Sequence, residues 1–232
     1  MIPEIELIMD ETKSWLESLD TAVIAVHSAF NRNPKTILTE SDLKCWLFHE
    51  LQNIDKKNFT VHSEVTHYPR TKIREDLATV KIQKYHFRDL SLLGPDGIKG
   101  NNQLWETHNS RQLLSKGFNH QGPAVHIELK LIRESTDQNF PNRIDFGDVD
   151  KLRNYSPISP HKRRFVIIVC SNSILVEATE MERALLRKMN RFANESLDGA
   201  LDFYLFDQST ILKYSWSNGN LVKIYSHTHP GI

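Results

Sequence analysis

Ala124-Val125-His126-Ile127-Glu128-Leu129-Lys130-Leu131-Ile132 is the stretch on which the fold turns. Val125, Ile127, Leu129 and Leu131 are apolar, and His126, Glu128 and Lys130 fall between them. Side chains on a strand alternate faces, so the stretch reads as a strand with one buried face. Its other face carries an imidazole, a carboxylate and an ammonium in a row. Charges at alternate positions of so apolar a strand need a reason, because burying a charge is costly unless it is paired or bound to an ion. A metal site is one such reason.

Downstream, Arg143 to Tyr155 reads as a helix with Ile144, Val149 and Leu152 facing in, ended by Pro157 and Pro160. Arg164 to Cys170 is a continuous apolar run of strand length, as expected of a strand covered on both faces. Glu177 to Glu195 has the stripe of a packed helix, namely Met181, Ala184, Leu185, Met189 and Phe192. Its basic residues, Arg183, Arg187, Lys188 and Arg191, read as a solvated face. Leu201 to Phe206, Thr210 to Trp216 and Leu221 to Tyr225 read as strands, the last two joined by the turn Ser217-Asn218-Gly219-Asn220.

Upstream, residues 4–29 carry a helical stripe with a break expected near Asp20-Thr21. Thr39-Glu40-Ser41-Asp42 is a capping-box start for a helix running to about Ile54. Its apolar face is Leu43, Trp46, Leu47, Leu51 and Ile54, and Glu50 falls on the same face by helical spacing. Phe59 to Tyr68 reads as a strand, with Pro69-Arg70 as a turn and Ile73 to Val80 as the returning strand, which carries Asp76. The connection 81–123 contains the turn signals Gly94-Pro95-Asp96-Gly97 and a helical pattern from Gln103 to Lys116. A connection of that length inside a compact domain usually carries function or mobility.

The bulk numbers exclude several classes. The 232 residues suit a single domain with elaborations, and 39% hydrophobic with 25% charged residues is a globular balance. Formal net charge is zero, so contact with nucleic acid needs a local basic surface. Cys45 and Cys170 have no metal spacing and make no disulfide framework, which fits a reducing compartment. There is no apolar run of membrane-spanning length and no signal-peptide pattern, so a cytosolic protein is expected. The chain lacks a Gly-rich phosphate loop, a G-x-S-x-G elbow and paired C-x-x-C.

The order is therefore helix with Glu50, hairpin carrying Asp76, strand carrying Glu128-Leu129-Lys130, helix, buried strand. This resembles the core of the PD-(D/E)xK nuclease superfamily, over residues 39–170. Of the four (D/E)-x-K triplets in the chain, only Glu128-Leu129-Lys130 lies in a strictly alternating strand. The residue before Asp76 is Glu75, not proline.

The resemblance implies an α/β fold, a mixed central sheet flanked by helices, in one domain. Residues 1–38 would add helices to the core, and residues 171–232 a helix and strands. It also implies that Asp76 and Glu128 bind Mg2+ or Mn2+, joined by Glu50 from the first helix, with Lys130 acting on the attacking water. The implied activity is a metal-dependent endonuclease acting on DNA rather than RNA. The alternative is a non-cleaving nucleic-acid-binding or interaction module on the same fold. The reading leaves a homodimer open and involves no membrane.

The chemistry agrees with that implication. Phosphodiester hydrolysis needs a nucleophilic water and neutralised phosphate charge, and divalent ions held by carboxylates supply both. Oxygen ligands suit Mg2+ or Mn2+. Lys130, two residues after Glu128, shares its face of the strand and adds positive charge beside the phosphate. His126 reads as a partly exposed, hydrogen-bonding histidine. Asp148, Asp150 and Lys151 read as a solvated helix face, and His227 and His229 as part of a frayed tail.

Overall fold

The computed structural model describes residues 2–54, 58–67, 86–95, 98–99, 119–120, 123–133, 137–149, 163–192, 200–217 and 219–228. Helix α1 spans Ile2–Arg32 and α2 spans Glu40–Gln52, with a 3-10 turn at Pro34–Thr36 between them. The strands are β1 (Thr60–His67), β2 (His86–Leu93), β3 (Ile98–Lys99), β4 (Asn119–His120), β5 (Ala124–Arg133) and β6 (Arg163–Asn172). Helix α3 (Ala178–Asn190) follows, then β7 (Ala200–Phe206), β8 (Thr210–Ser217) and β9 (Asn220–Thr228). Seven strands form one mixed sheet in the order β1-β2-β5-β6-β7-β8-β9, and β3 pairs with β4 apart from it. β5, β6 and β7 run parallel, while the other neighbouring pairs are antiparallel.

This topology dictates which face each helix covers. The β5–β6 and β6–β7 connections both step the same way across the sheet, and right-handed crossovers then fall on one face. α3 and the segment around Phe146 and Val149 accordingly pack with Ile132, Ile167, Val169, Phe203 and Leu205. The opposite face carries Leu90, Leu92, Val125, Ile127, Leu129, Val166 and Ile168. α1 and α2 cover that face through residues such as Trp15, Leu19, Val23, Leu43, Leu47 and Leu51. β6 is buried on both faces, as its continuous apolar run requires.

Local chemistry sets the helix ends. At α2 the Asp42 amide donates to Thr39 Oγ1 at 3.1 Å, and the Thr39 amide donates to Asp42 Oδ2 at 2.7 Å. These bonds hold the Asp42 carboxyl below its usual range, the Thr39 side chain contributing most. At α3 the residue just after β7 helps, because the Ala178 amide donates to Asp207 Oδ2 at 2.7 Å.

Four expectations change. α1 runs through Asp20-Thr21 without a break, because both polar side chains are accommodated. Thr21 Oγ1 donates to the Glu17 carbonyl, and Asp20 reaches Lys213 on the sheet. Among the described residues β1 pairs with His86–Leu93, and Ile73 to Val80, expected as the returning strand, lies outside them. The region from Arg143 begins as a 3-10 turn, Phe140–Arg143, and becomes helical only at 147–149; 150–155 lie outside the described residues. Trp46 is 36% exposed, so the buried stripe of α2 is Leu43, Leu47 and Leu51 alone. The pattern Gln103 to Lys116 also lies outside the described residues. The C-terminal strands extend the same sheet as the 39–170 region.

Candidate active site

The sheet contains a fork. β2 and β5 are paired over Leu90–Leu93 against Ala124–Ile127, and that ladder ends at Leu90–Ile127. β5 nevertheless keeps its pairing with β6 through Arg133. The β5 amides beyond the fork still need acceptors, since an unpaired buried N–H is costly. Carboxylates supply them. The Leu129 amide donates to Asp89 Oδ2 at 2.8 Å, and the Leu131 amide donates to Glu40 Oε2 at 3.4 Å. Asp89 comes from β2 and Glu40 from the first turn of α2.

Glu128 immediately precedes the first of these amides, and Lys130 lies between the two. Val125, Ile127 and Leu129 point into the α1–α2 side, so by alternation His126, Glu128 and Lys130 leave on the other. Glu128 is only 8% exposed, while Lys130, two residues further, is exposed. Asp89 and Ser91 belong to the same face, because Leu90 and Leu92 are committed to the α1–α2 side. His126 is buried, which corrects its reading as partly exposed. Its Nδ1 is 3.0 Å from Ser91 Oγ, and its ring centroid is 5.5 Å from that of Phe165. His62 lies across the ladder from Ser91 with Nε2 2.9 Å from Thr60 Oγ1, and burial lowers its pKa.

The sequence-derived residues divide as follows. Glu128 and Lys130 share one face of β5 at the fork. Asp76 lies outside the described residues. Glu50 is half-buried on α2, which packs on the opposite side of the sheet from the Glu128 side chain. Glu50 follows Trp46 by one helical turn and takes the same outer flank, so the inward face assumed for it belongs to Leu47 and Leu51. The α2 acid that meets β5 is Glu40 instead. Among the described residues, no group of three or more His, Cys, Asp or Glu side chains is close enough to hold a metal ion.

Asp89 and Glu40 were missed. The signal for Asp89 was present in His86-Phe87-Arg88-Asp89-Leu90-Ser91-Leu92-Leu93, which alternates at Asp89, Leu90, Ser91 and Leu92. Nothing in the sequence singled out Glu40 beyond its place in a helix first turn.

Beside Lys130, past the C-terminal half of β5, opens a cleft of about 400 Å3. It is lined by the end of β5, the segment from Phe140 to Asp148, and Ile167 and Val169 of β6. The cleft therefore lies over the carboxyl-terminal half of β5 and the middle of β6, on the face that α3 covers. Arg143 on its rim forms an ion pair with Asp137 at 2.7 Å. Searches of family models, curated proteins and solved structures find no match to this chain.

Proposed function

We propose that this protein is a metal-dependent endonuclease that hydrolyses phosphodiester bonds in DNA, with Glu128 and Lys130 at its centre. The observation that carries the reading is the bond from the Leu129 amide to Asp89 Oδ2, which sets a second carboxylate beside Glu128 where the β2–β5 ladder ends. The order helix, antiparallel pair, Glu128-Leu129-Lys130 strand and parallel buried strand supports the resemblance to the PD-(D/E)xK superfamily. Asp89 then takes the role of second-strand acid expected of Asp76.

The donor set fits a hard divalent cation. A carboxylate that accepts one N–H retains further acceptor capacity. Mg2+ is typically held by one or two carboxylates and keeps several waters, so Asp89 and Glu128 suffice without a third acid. When bound, the ion supplies charge for the phosphate and acidity for its water. The Lys130 ammonium donates to a phosphate oxygen and stabilises the charge that builds there. Water's oxygen forms the new P–O bond as the P–O bond to the leaving group breaks; the water gives up one proton to solvent and the departing alkoxide takes one up.

One observation favours a second reading, a non-cleaving binding module. Glu128 is nearly buried, and no group of three ligand side chains is gathered among the described residues. Supercoiled plasmid separates the two. Nicking with Mg2+ or Mn2+, abolished by EDTA, is expected of wild type. Glu128→Gln, Lys130→Ala and Asp89→Asn should each lose at least about a hundredfold in rate, the scale of a lost charge-stabilising or general-base group. Asp76→Asn and Glu50→Gln, assayed alongside, report whether either acid shares the role. Cleavage at wild-type rate by Lys130→Ala would sink the assignment.

A further inference from the structure

Phosphodiester hydrolysis needs carboxylates, an ammonium and water; it has no use for an apolar pocket. Yet Lys130 stands at the mouth of one. The floor of the cleft is Ile132, Phe146, Ile167 and Val169, all buried. Half-exposed Phe140 forms a wall, and Lys130, Arg133 and Arg143 are exposed around the rim. The carboxylates of Asp145 and Asp148 complete the lining.

We propose that this cleft receives one unpaired nucleobase, from the nucleotide adjoining the phosphate at Glu128 and Lys130. The placement rests on the nuclease reading. It makes the substrate a single strand, or a strand with an extruded base, in preference to an intact duplex.

The argument is one of size and complementarity. A volume of about 400 Å3 holds a base with its sugar but excludes a stacked base pair. A nucleobase has apolar faces and a hydrogen-bonding edge, and it is flanked by phosphates. The apolar floor and the Phe140 ring suit the faces, as aromatic side chains do in single-strand binding. Asp145 is held by Lys188 at 3.4 Å and Arg143 by Asp137 at 2.7 Å, so the rim charges that face a ligand are those of Lys130 and Arg133, which suit the phosphates on either side. An apolar peptide side chain would leave these two cations unmatched, so charge complementarity favours the nucleotide. The chain's zero net charge is consistent with a basic surface confined to such a rim.

The test is fluorescence anisotropy in EDTA, where no cleavage occurs, with a labelled 12-nucleotide single strand and its blunt duplex. Wild type should bind the single strand about tenfold more tightly. Phe140→Ala should cost about tenfold on the single strand, within the range for one stacked base, and Phe140→Trp should restore it. A single abasic position, walked along the oligonucleotide, should weaken wild-type binding by a similar factor at one register. That arm requires no variant to fold. Equal affinity for duplex and single strand, or an abasic series without effect, would overturn the proposal. A plasmid that stays uncut while the binding pattern holds would remove the nuclease reading alone. Cleavage dependent on Glu128, with an indifferent abasic series, would remove the cleft alone.

Discussion

Asp20 with Lys213 and Glu128 with Lys130 are both carboxylate–ammonium sets, one joining α1 to β8 and one on β5 at the fork beyond the β2–β5 ladder. The first set is closed. Lys213 Nζ lies 2.7 Å from both Asp20 oxygens, Tyr204 donates to Asp20 at 2.7 Å, and Lys213 sits 5.1 Å over the Tyr204 ring. Tyr225 completes it at 3.5 Å. Burial, reinforced by the Asp20 charge, pushes the Tyr204 phenol far up, so it remains a donor. In the second set Glu128 is buried while Lys130 reaches solvent at a cleft. The same two residue types thus fasten a helix in one place and set an exposed ammonium beside a cleft in the other. What separates them is the cover: α1 carries Asp20 down onto Lys213, whereas Lys130 is left exposed beyond the ladder's end.

The largest effect that tests this contrast is on stability at the closed set. Lys213 is 9% exposed and Asp20 25%, so Lys213→Ala should cost about 2–3 kcal/mol, below the full value for a buried pair because Asp20 is partly hydrated. Urea denaturation of wild type and variant measures it. A loss under 0.5 kcal/mol, read on that roughly 0–1 kcal/mol scale of exposed pairs, would mean the closed set does not anchor α1.

Glu128→Gln should behave oppositely. The glutamine keeps size and hydrogen bonding, and the relief of desolvation offsets the weakening of any charge-assisted bond, so stability should change by less than about 1 kcal/mol, in either direction, while cleavage is lost. A destabilisation as large as that of Lys213→Ala would mark Glu128 as a structural acid.

The smallest effect is a pH slope at the fork. Burial lowers the His62 pKa from its ordinary 6.5, so the unfolded chain binds the proton more readily than the folded one. The contribution is complete above pH 6.5 and is lost as pH falls through 6.5 toward the lower folded value. Thermal midpoints should therefore fall between pH 7 and about pH 5.5, and His62→Gln should flatten part of that fall. An unaltered slope in the variant would assign the dependence to other groups.

Much of the fold was legible in the sequence. The strand from Ala124, the two-sided run at Arg164 to Cys170, the capped start at Thr39 and the α3 stripe are local patterns that packing did not override. The misreadings share a cause. Asp20-Thr21 looked like a helix break because polar residues within a stripe carry no sign of distant partners, and here Lys213 lies 193 positions away. His86–Leu93 pairs with β1 from beyond the next apolar run, because long connections leave pairing to tertiary packing. Glu50 was counted inward because helical spacing gives neighbours on a surface and not which flank faces the sheet.

The sequence by itself determined that Glu128 and Lys130 share one face of a largely buried strand, because the period of a strand is fixed by backbone geometry. Only the tertiary structure decided which acids stand near them. Asp89 and Glu40 meet β5 because the β2 ladder stops at Leu90–Ile127 and leaves two β5 amides in need of acceptors. That demand arises from where strands part, a property of the assembled sheet that residue order does not encode locally.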